Sequence, residues 1–190
     1  MSAFTTAMDG EWWDTGVLKR EVHGPLIADR IAISRRSGLG QGNISSMWSK
    51  LPPDTQGYER EWLKALVQAP YGKHAFYTGK PAAAREKFIA FTGALLRNFM
   101  DARLLSVDEI ADIYFENHAV EADVLFIPDF VIPGETGTRT DRIKQAVIAV
   151  LRRRLLDNKT ICLYVGKSDG KPWGQSMHDE IAQFLNGGDC

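Results

Sequence analysis

The sequence predicts a mixed fold of the α+β class, built on a strand, a glycine-rich turn, a helix and a second strand, with a helical insertion or lobe. Three observations predict it. Val124-Leu-Phe-Ile-Pro-Asp-Phe-Val-Ile132 and Thr160-Ile-Cys-Leu-Tyr-Val165 are β-branched and aromatic runs. Asp141 to Leu156, between them, has helical periodicity. The middle of the chain, about residues 55–115, carries further amphipathic segments with start and stop signals.

In chain order, the first 30 or so residues are aromatic and mixed, with Trp12, Trp13, Val17 and Leu18. The two tryptophans read as a core anchor, with base stacking as the sharper alternative. A hairpin is expected to turn near His23-Gly24-Pro25 and continue from Leu26 to Ser34. Ser37 to Asn43, with Gly38, Gly40 and Gly42 beside Arg35 and Arg36, reads as a loop and a second candidate anion site. Ile44 to Leu51 reads as a short helix ended by Pro52-Pro53. Thr55 to Ala69 reads as a helix with Tyr58, Trp62, Leu66 and Ala69 on one face, stopped by Pro70-Tyr71-Gly72.

Pro81 to Met100 is the clearest helix: Pro81 suits its first turn, and Phe88, Phe91, Leu95 and Phe99 recur at helical spacing. Ser106-Val-Asp-Glu109 is a capping box that opens a helix to about Phe115. Ser176 to Leu185 reads as a closing helix. The expected organisation is one domain over residues 1–190, with an N-terminal β portion and a helical segment at 55–115.

The chain has 190 residues, 44% of them hydrophobic and 25% charged. A chain of this size buries roughly 70% of its unfolded surface, so a core forms without disulfide or metal. Cys162 lies in an apolar run and Cys190 is the last residue, a usage that fits a reducing compartment. The N-terminus lacks the basic and apolar regions of a signal peptide, and no apolar run is long enough to span a bilayer. The expectation is a cytoplasmic protein, with peripheral contact at the inner membrane through a membrane-bound partner left open.

Net charge is −1, which argues against nonspecific coating of duplex DNA. It conceals an asymmetry. Residues 104–138 hold no Lys or Arg, whereas Arg139, Arg142, Lys144, Arg152, Arg153, Arg154 and Lys159 outnumber Asp141 and Asp157 in 139–159. That pattern suits either internal pairing or a local anion site.

The chemistry-bearing stretch is Gly134-Glu-Thr-Gly-Thr-Arg-Thr-Asp-Arg142 with Lys144. A glycine-rich turn opening a helix offers backbone N–H groups and a favourable dipole to a phosphate. Gly134 and Gly137 let a ligand approach the main chain. Thr138 or Thr140 can cap the helix, Thr136 adds a hydroxyl, and Arg139 and Arg142 can make bidentate bonds to phosphate. Glu135, Asp141 and Asp129 are oxygen donors for a divalent cation or a water. The bland alternative is an ordinary strand-to-helix turn with surface arginines.

Two near-motifs are rejected. Gly166-Lys167-Ser168 lacks the earlier glycine of a P-loop, Ile161 and Cys162 standing there, and Gly137-Thr-Arg-Thr140 lacks its lysine. His23, His74, His118 and His178 have no metal-ligand spacing. Arg152-Arg153-Arg154 reads as a solvated face, or as a phosphate-backbone contact together with Arg35 and Arg36.

The segment Asp129 to Val165 resembles the nucleotide-binding core of the ParB/sulfiredoxin superfamily, and the whole chain resembles plasmid-encoded fertility inhibition factors of that fold. The resemblance matches the family's turn glycine to Gly134 or Gly137, its phosphate-binding arginine to Arg139 or Arg142, and its acidic partner to Glu135. No cysteine stands in this loop, which argues against sulfinic-acid reduction. No helix-turn-helix follows the core, so ParB-type operator binding is not expected.

The resemblance implies ATP hydrolysis and ATP-regulated DNase activity, with ATP and Mg²⁺ as cofactors. It implies a role in blocking transfer of a rival DNA through a type IV secretion system. The implied partners are ATP, DNA including the transferred strand, and the secretion-system coupling machinery. The alternatives are a non-enzymatic inhibitor that docks on a secretion or coupling component through Ser106–Phe115 or its aromatic N-terminus, and a plain DNA-binding module.

Overall fold

Among the described residues four short strands form one parallel sheet, and helices cover both of its faces. The computed structural model describes residues 16–77, 80–130 and 138–164. Within them the order is α1 (Arg20–Ala28), α2 (Arg30–Arg36), a 3₁₀ helix (Gln41–Met47), α3 (Gly57–Gln68), β1 (Ala75–Tyr77), α4 (Pro81–Arg97), β2 (Ala102–Leu104), α5 (Val107–Phe115), β3 (Val124–Ile127), α6 (Thr138–Leu156) and β4 (Thr160–Tyr164). The strands lie in the order β1-β4-β3-β2, so β3 and β4 are interior. Register is set by pairs such as Ala75 with Cys162, Phe126 with Cys162, and Leu104 with Phe126.

Side-chain alternation along the strands builds two cores. Ala102, Leu104, Val124, Phe126, Cys162 and Tyr164 face a cluster centred on Phe88, Phe91 and Leu95 of α4. Leu125, Ile127, Ile161 and Leu163 face Ile110 of α5 and Val147, Val150 and Leu151 of α6. Sandwiched strands need no polar face, which is why β3 and β4 are buried at every residue.

Of the expected strand-turn-helix-strand unit, the two strands and the helix are present as β3, α6 and β4, with β3 and β4 adjacent and parallel, and residues 131–137 of the turn lie outside the described residues. The strand expected over Val124–Ile132 ends at Ile127. The helix at 81–100 runs Pro81–Arg97 with its proline in the first turn. The capping box of α5 is complete: Ser106 Oγ accepts the Glu109 N–H at 3.2 Å, and Glu109 Oε2 accepts the Ser106 N–H at 2.7 Å.

The N-terminal hairpin is not formed. Residues 20–36 make two helices, with Pro25 inside α1 and Asp29 at the break. His-Gly-Pro is a turn signal, but burial of Leu26 and Ile27 in the α4-side core overrides it. The 55–115 segment is also not purely helical, because it supplies β1 and β2. Tyr58, expected inward, is 72% exposed, and Glu59 beside it is buried instead. The closing helix at 176–185 and Cys190 lie outside the described residues.

Two glycines allow close approaches. Gly38 has a φ of +75°, and a Cβ there would collide with the Leu104 carbonyl oxygen. Its neighbour Ser37 accepts the Leu104 N–H at 2.7 Å, so the end of α2 covers the edge strand β2. Gly93 lets α4 pack directly on the Ser46 backbone of the 3₁₀ helix.

Candidate functional site

Because every strand is parallel, all four carboxyl ends lie along one edge of the sheet. Open α/β sheets bind ligands at that edge. The 128–137 connection leaves there from interior strand β3 and leads into α6. Gly134, Glu135, Thr136 and Gly137 lie outside the described residues, as do the side chains of Thr138, Arg139 and Thr140. The backbone of those last three residues forms the first turn of α6.

Asp129 is a partly buried acidic group at this edge, with Asp108 of α5 nearby. Asp129 Oδ1 accepts the Val107 N–H at the first turn of α5, 3.2 Å away. Burial raises its pKa; that hydrogen bond and the charge of Arg85 act against the rise, and Asp108 adds to it. Asp129 is thus held by backbone N–H groups, that of Val107 at a helix N-terminus and its own. Among the described residues no group of three or more His, Cys, Asp or Glu is placed to share a metal. One carboxylate with substrate phosphates is a donor set that suits Mg²⁺.

Of the other expected residues, Asp141 and Arg142 are exposed and Lys144 is half-buried. The Arg142 guanidinium lies over the Phe115 ring, 5.0 Å from its centroid, so it is committed to the junction of α5 with α6. Arg35 and Arg36 are exposed in the last turn of α2. The adjoining turn contacts the last residue of β2, which sets this pair near the same carboxyl edge. The 37–43 glycine loop is not an open anion cradle, however. Gly38 N–H donates to Arg35 O and Gly40 N–H to Ser34 O, so these donors are used internally.

The arginine triplet divides. Arg152 and Arg153 are exposed, and Arg153 pairs with Asp157 at 2.9 Å. Arg154 is 2% exposed and donates to the carbonyls of Val120, Ala122, Asp123 and Thr160. It ties α6 to the amino ends of β3 and β4, so it is neither a solvated residue nor a phosphate contact. At 1.5 Å per residue, Arg152 stands roughly 20 Å along α6 from its first turn, too far for one compact site to use both.

Two polar clusters were not legible as sites. In one, Glu59 is 1% exposed and receives Lys87 at 2.9 and 3.0 Å and the Gln56 N–H at 2.6 Å. Tyr77 also bonds this carboxylate; burial first, then the charges of Cys162 and Glu59, push its hydroxyl pKa upward. Cys162, fully buried, is raised as well, chiefly by desolvation. Both groups hold their protons, as structural rather than nucleophilic residues do.

The other cluster lies at the amino edge, where His74 Nδ1 accepts the Ile161 N–H at 3.3 Å. Burial, then the Arg154 charge, lowers the His74 pKa below its ordinary 6.5. The unfolded chain thus takes this proton first. Stability from His74 is complete above pH 6.5 and is lost as pH falls through 6.5 toward the folded value. Urea unfolding across this window is expected to show a fall in stability toward acid, reduced in His74→Gln. An identical slope in that variant would assign the acid sensitivity elsewhere.

Comparison with protein-family models, with curated proteins and with solved structures returned no match.

Proposed function

We propose that the chain is an ATP-binding phosphohydrolase that also cleaves DNA under ATP control. In this reading it is a fertility inhibition factor of ParB/sulfiredoxin type, blocking DNA transfer through a type IV secretion system. One observation carries the proposal. The 128–137 connection, whose sequence holds Gly134 and Gly137, leads from the carboxyl end of an interior parallel strand to a 19-residue helix, the setting in which α/β sheets hold phosphates.

In this reading the Gly134–Gly137 main chain and the first turn of α6 receive the phosphates. Arg139 neutralises charge as water attacks phosphorus and the bond to the leaving oxygen breaks. Such chemistry needs positioning and charge stabilisation more than a covalent nucleophile. Asp129 and Glu135 would hold Mg²⁺, which when bound neutralises phosphate charge. Arg35 and Arg36 would guide a DNA strand to the same edge.

Arg139→Ala is expected to lower ATP turnover and DNA cleavage by ~10²-fold or more. Arg142→Ala should cost less, since its guanidinium already stacks on Phe115. Wild-type rates of both reactions in Arg139→Ala would remove the assignment.

A second reading, a non-enzymatic inhibitor, has one observation in its favour: Asp108, Glu109 and Asp112 are all exposed on α5. If charge reversal at Asp108 and Asp112, which leaves the Glu109 cap in place, abolishes inhibition of transfer while Arg139→Ala still inhibits, docking is the mechanism. Among the described residues no helix is long and apolar enough to cross a membrane.

A further inference from the structure

The described surface carries two features of opposite charge that the proposed phosphate chemistry does not use. The first is a cleft of about 400 Å³ between α3 and α4. Leu63, Val67 and Leu95 line it with Arg60, Lys64 and Arg97, and no carboxylate is among its described lining residues. Arg97 donates to Ser49 O at 2.7 Å and Arg60 to Thr55 O at 3.3 Å. A guanidinium has five N–H donors, so each retains capacity for a carboxylate. Lys64 pairs with Glu61 at 2.7 Å, both of them well exposed, a contact that exchanges readily with other anions.

The second feature is the carboxyl-terminal half of α5. Tyr114 and Phe115 are 42% and 44% exposed. Asp112 and Glu116 flank them, also exposed. Arg142 covers one part of Phe115 and leaves the remainder open. This helix lies within residues 104–138, which contain no Lys or Arg. An aromatic pair with carboxylates on either side complements an apolar cleft with cations on its rim.

We propose that these two surfaces meet between copies of the chain, the Asp112–Glu116 end of α5 on one copy seating in the α3–α4 cleft of the next. The contacting patches differ, so the contact is head-to-tail and extends into a ring or an open chain. Its aromatic anchors are few and its charges lie at the rim, so association is weak and salt-sensitive. The inference is independent of the nucleotide reading, and its test contains no nucleotide.

Sedimentation of the full chain reads it directly. The average mass is expected to rise with protein concentration at low salt and to fall back at high salt. Arg60→Glu with Lys64→Glu, and separately Asp112→Lys with Glu116→Lys, should each weaken association by about tenfold or more. Mixing the two variants should restore head-to-tail growth: the native helix of one meets the native cleft of the other, and the reversed helix meets the reversed cleft with charges again opposite.

Should a charge-reversed chain fail to fold by circular dichroism, Lys64→Gln and Asp112→Asn supply the same comparison through a shallower salt dependence. A wild-type chain that stays monomeric at every concentration overturns the proposal. So does an oligomer indifferent to both pairs, or a mixture of variants that remains monomeric.

Discussion

Glu59→Ala is expected to lower the unfolding free energy by about 3–5 kcal/mol, because it leaves a buried cation without its partner. The Glu59 carboxylate is 1% exposed and serves three donors on three elements: the Gln56 N–H before α3, the Lys87 ammonium on α4, and the Tyr77 hydroxyl at the end of β1. Lys87 is 16% exposed, and its other carboxylate neighbour, Asp54, lies 3.8 Å away on the surface. Alanine therefore strands the ammonium and the hydroxyl and removes the α3 cap at one stroke.

Glu59→Gln should recover the cap and the Tyr77 bond but not the charge, and so fall between. The double variant Glu59→Leu with Lys87→Met should cost less than Glu59→Ala alone, since removing both charges also removes their desolvation. Urea unfolding of these proteins, with Glu59→Leu and Lys87→Met also made singly to complete the cycle, decides the matter. Additive losses in the double variant would mean that the pair is not coupled.

How much of this was legible in the sequence depends on whether the information is local. Ser106-x-x-Glu109 fixes the start of α5 through bonds within four residues, and both bonds are present. Pro81 and the Phe88, Phe91 and Leu95 stripe likewise fix α4. The Gly134–Arg142 segment could be read as a strand-to-helix turn because the apolar runs on either side are long.

The parallel edge from which it leaves could not be read so easily. β1 and β2 are three residues each, too short for a period-two pattern, and β1 pairs with a strand more than 80 residues later, Ala75 against Cys162. The failure at 20–36 has the opposite cause. A strong local turn signal, Gly24-Pro25, was overruled by long-range packing of Leu26 and Ile27. Glu59 and Arg154 were hidden by their charge, although each sits on an apolar stripe: Glu59 with Leu63 and Leu66, and Arg154 with Val147, Val150 and Leu151. A charged residue in register with a buried stripe was the available signal.

Arg154→Ala is expected to cost about 4 kcal/mol or more, the sum of an emptied volume and buried carbonyls that lose a charged donor. Val120, Ala122, Asp123 and Thr160 all direct carbonyl oxygens at this one guanidinium. Burial lowers its pKa to about 10, partly offset by Asp123, so the charge persists at neutral pH. Arg154→Met fills the space without donors and should lose nearly as much as alanine. Arg154→Lys retains the charge, but one ammonium cannot fan across four acceptors as a planar fork does, so it should recover part of the loss.

Arg152→Ala, at an exposed position on the same helix, should change stability by no more than about 0.5 kcal/mol. Thermal unfolding ranks these variants, and hydrogen exchange at the amino ends of β3 and β4 locates the damage. The ranking also governs any test of DNA contact by α6. Under the proposed DNase reading, replacing the whole Arg152–Arg154 triplet would abolish cleavage by weakening the fold, whether or not the helix touches DNA. Only Arg152→Ala with Arg153→Ala, which leaves Arg154 on its four carbonyls, separates a lost phosphate contact from a lost structure.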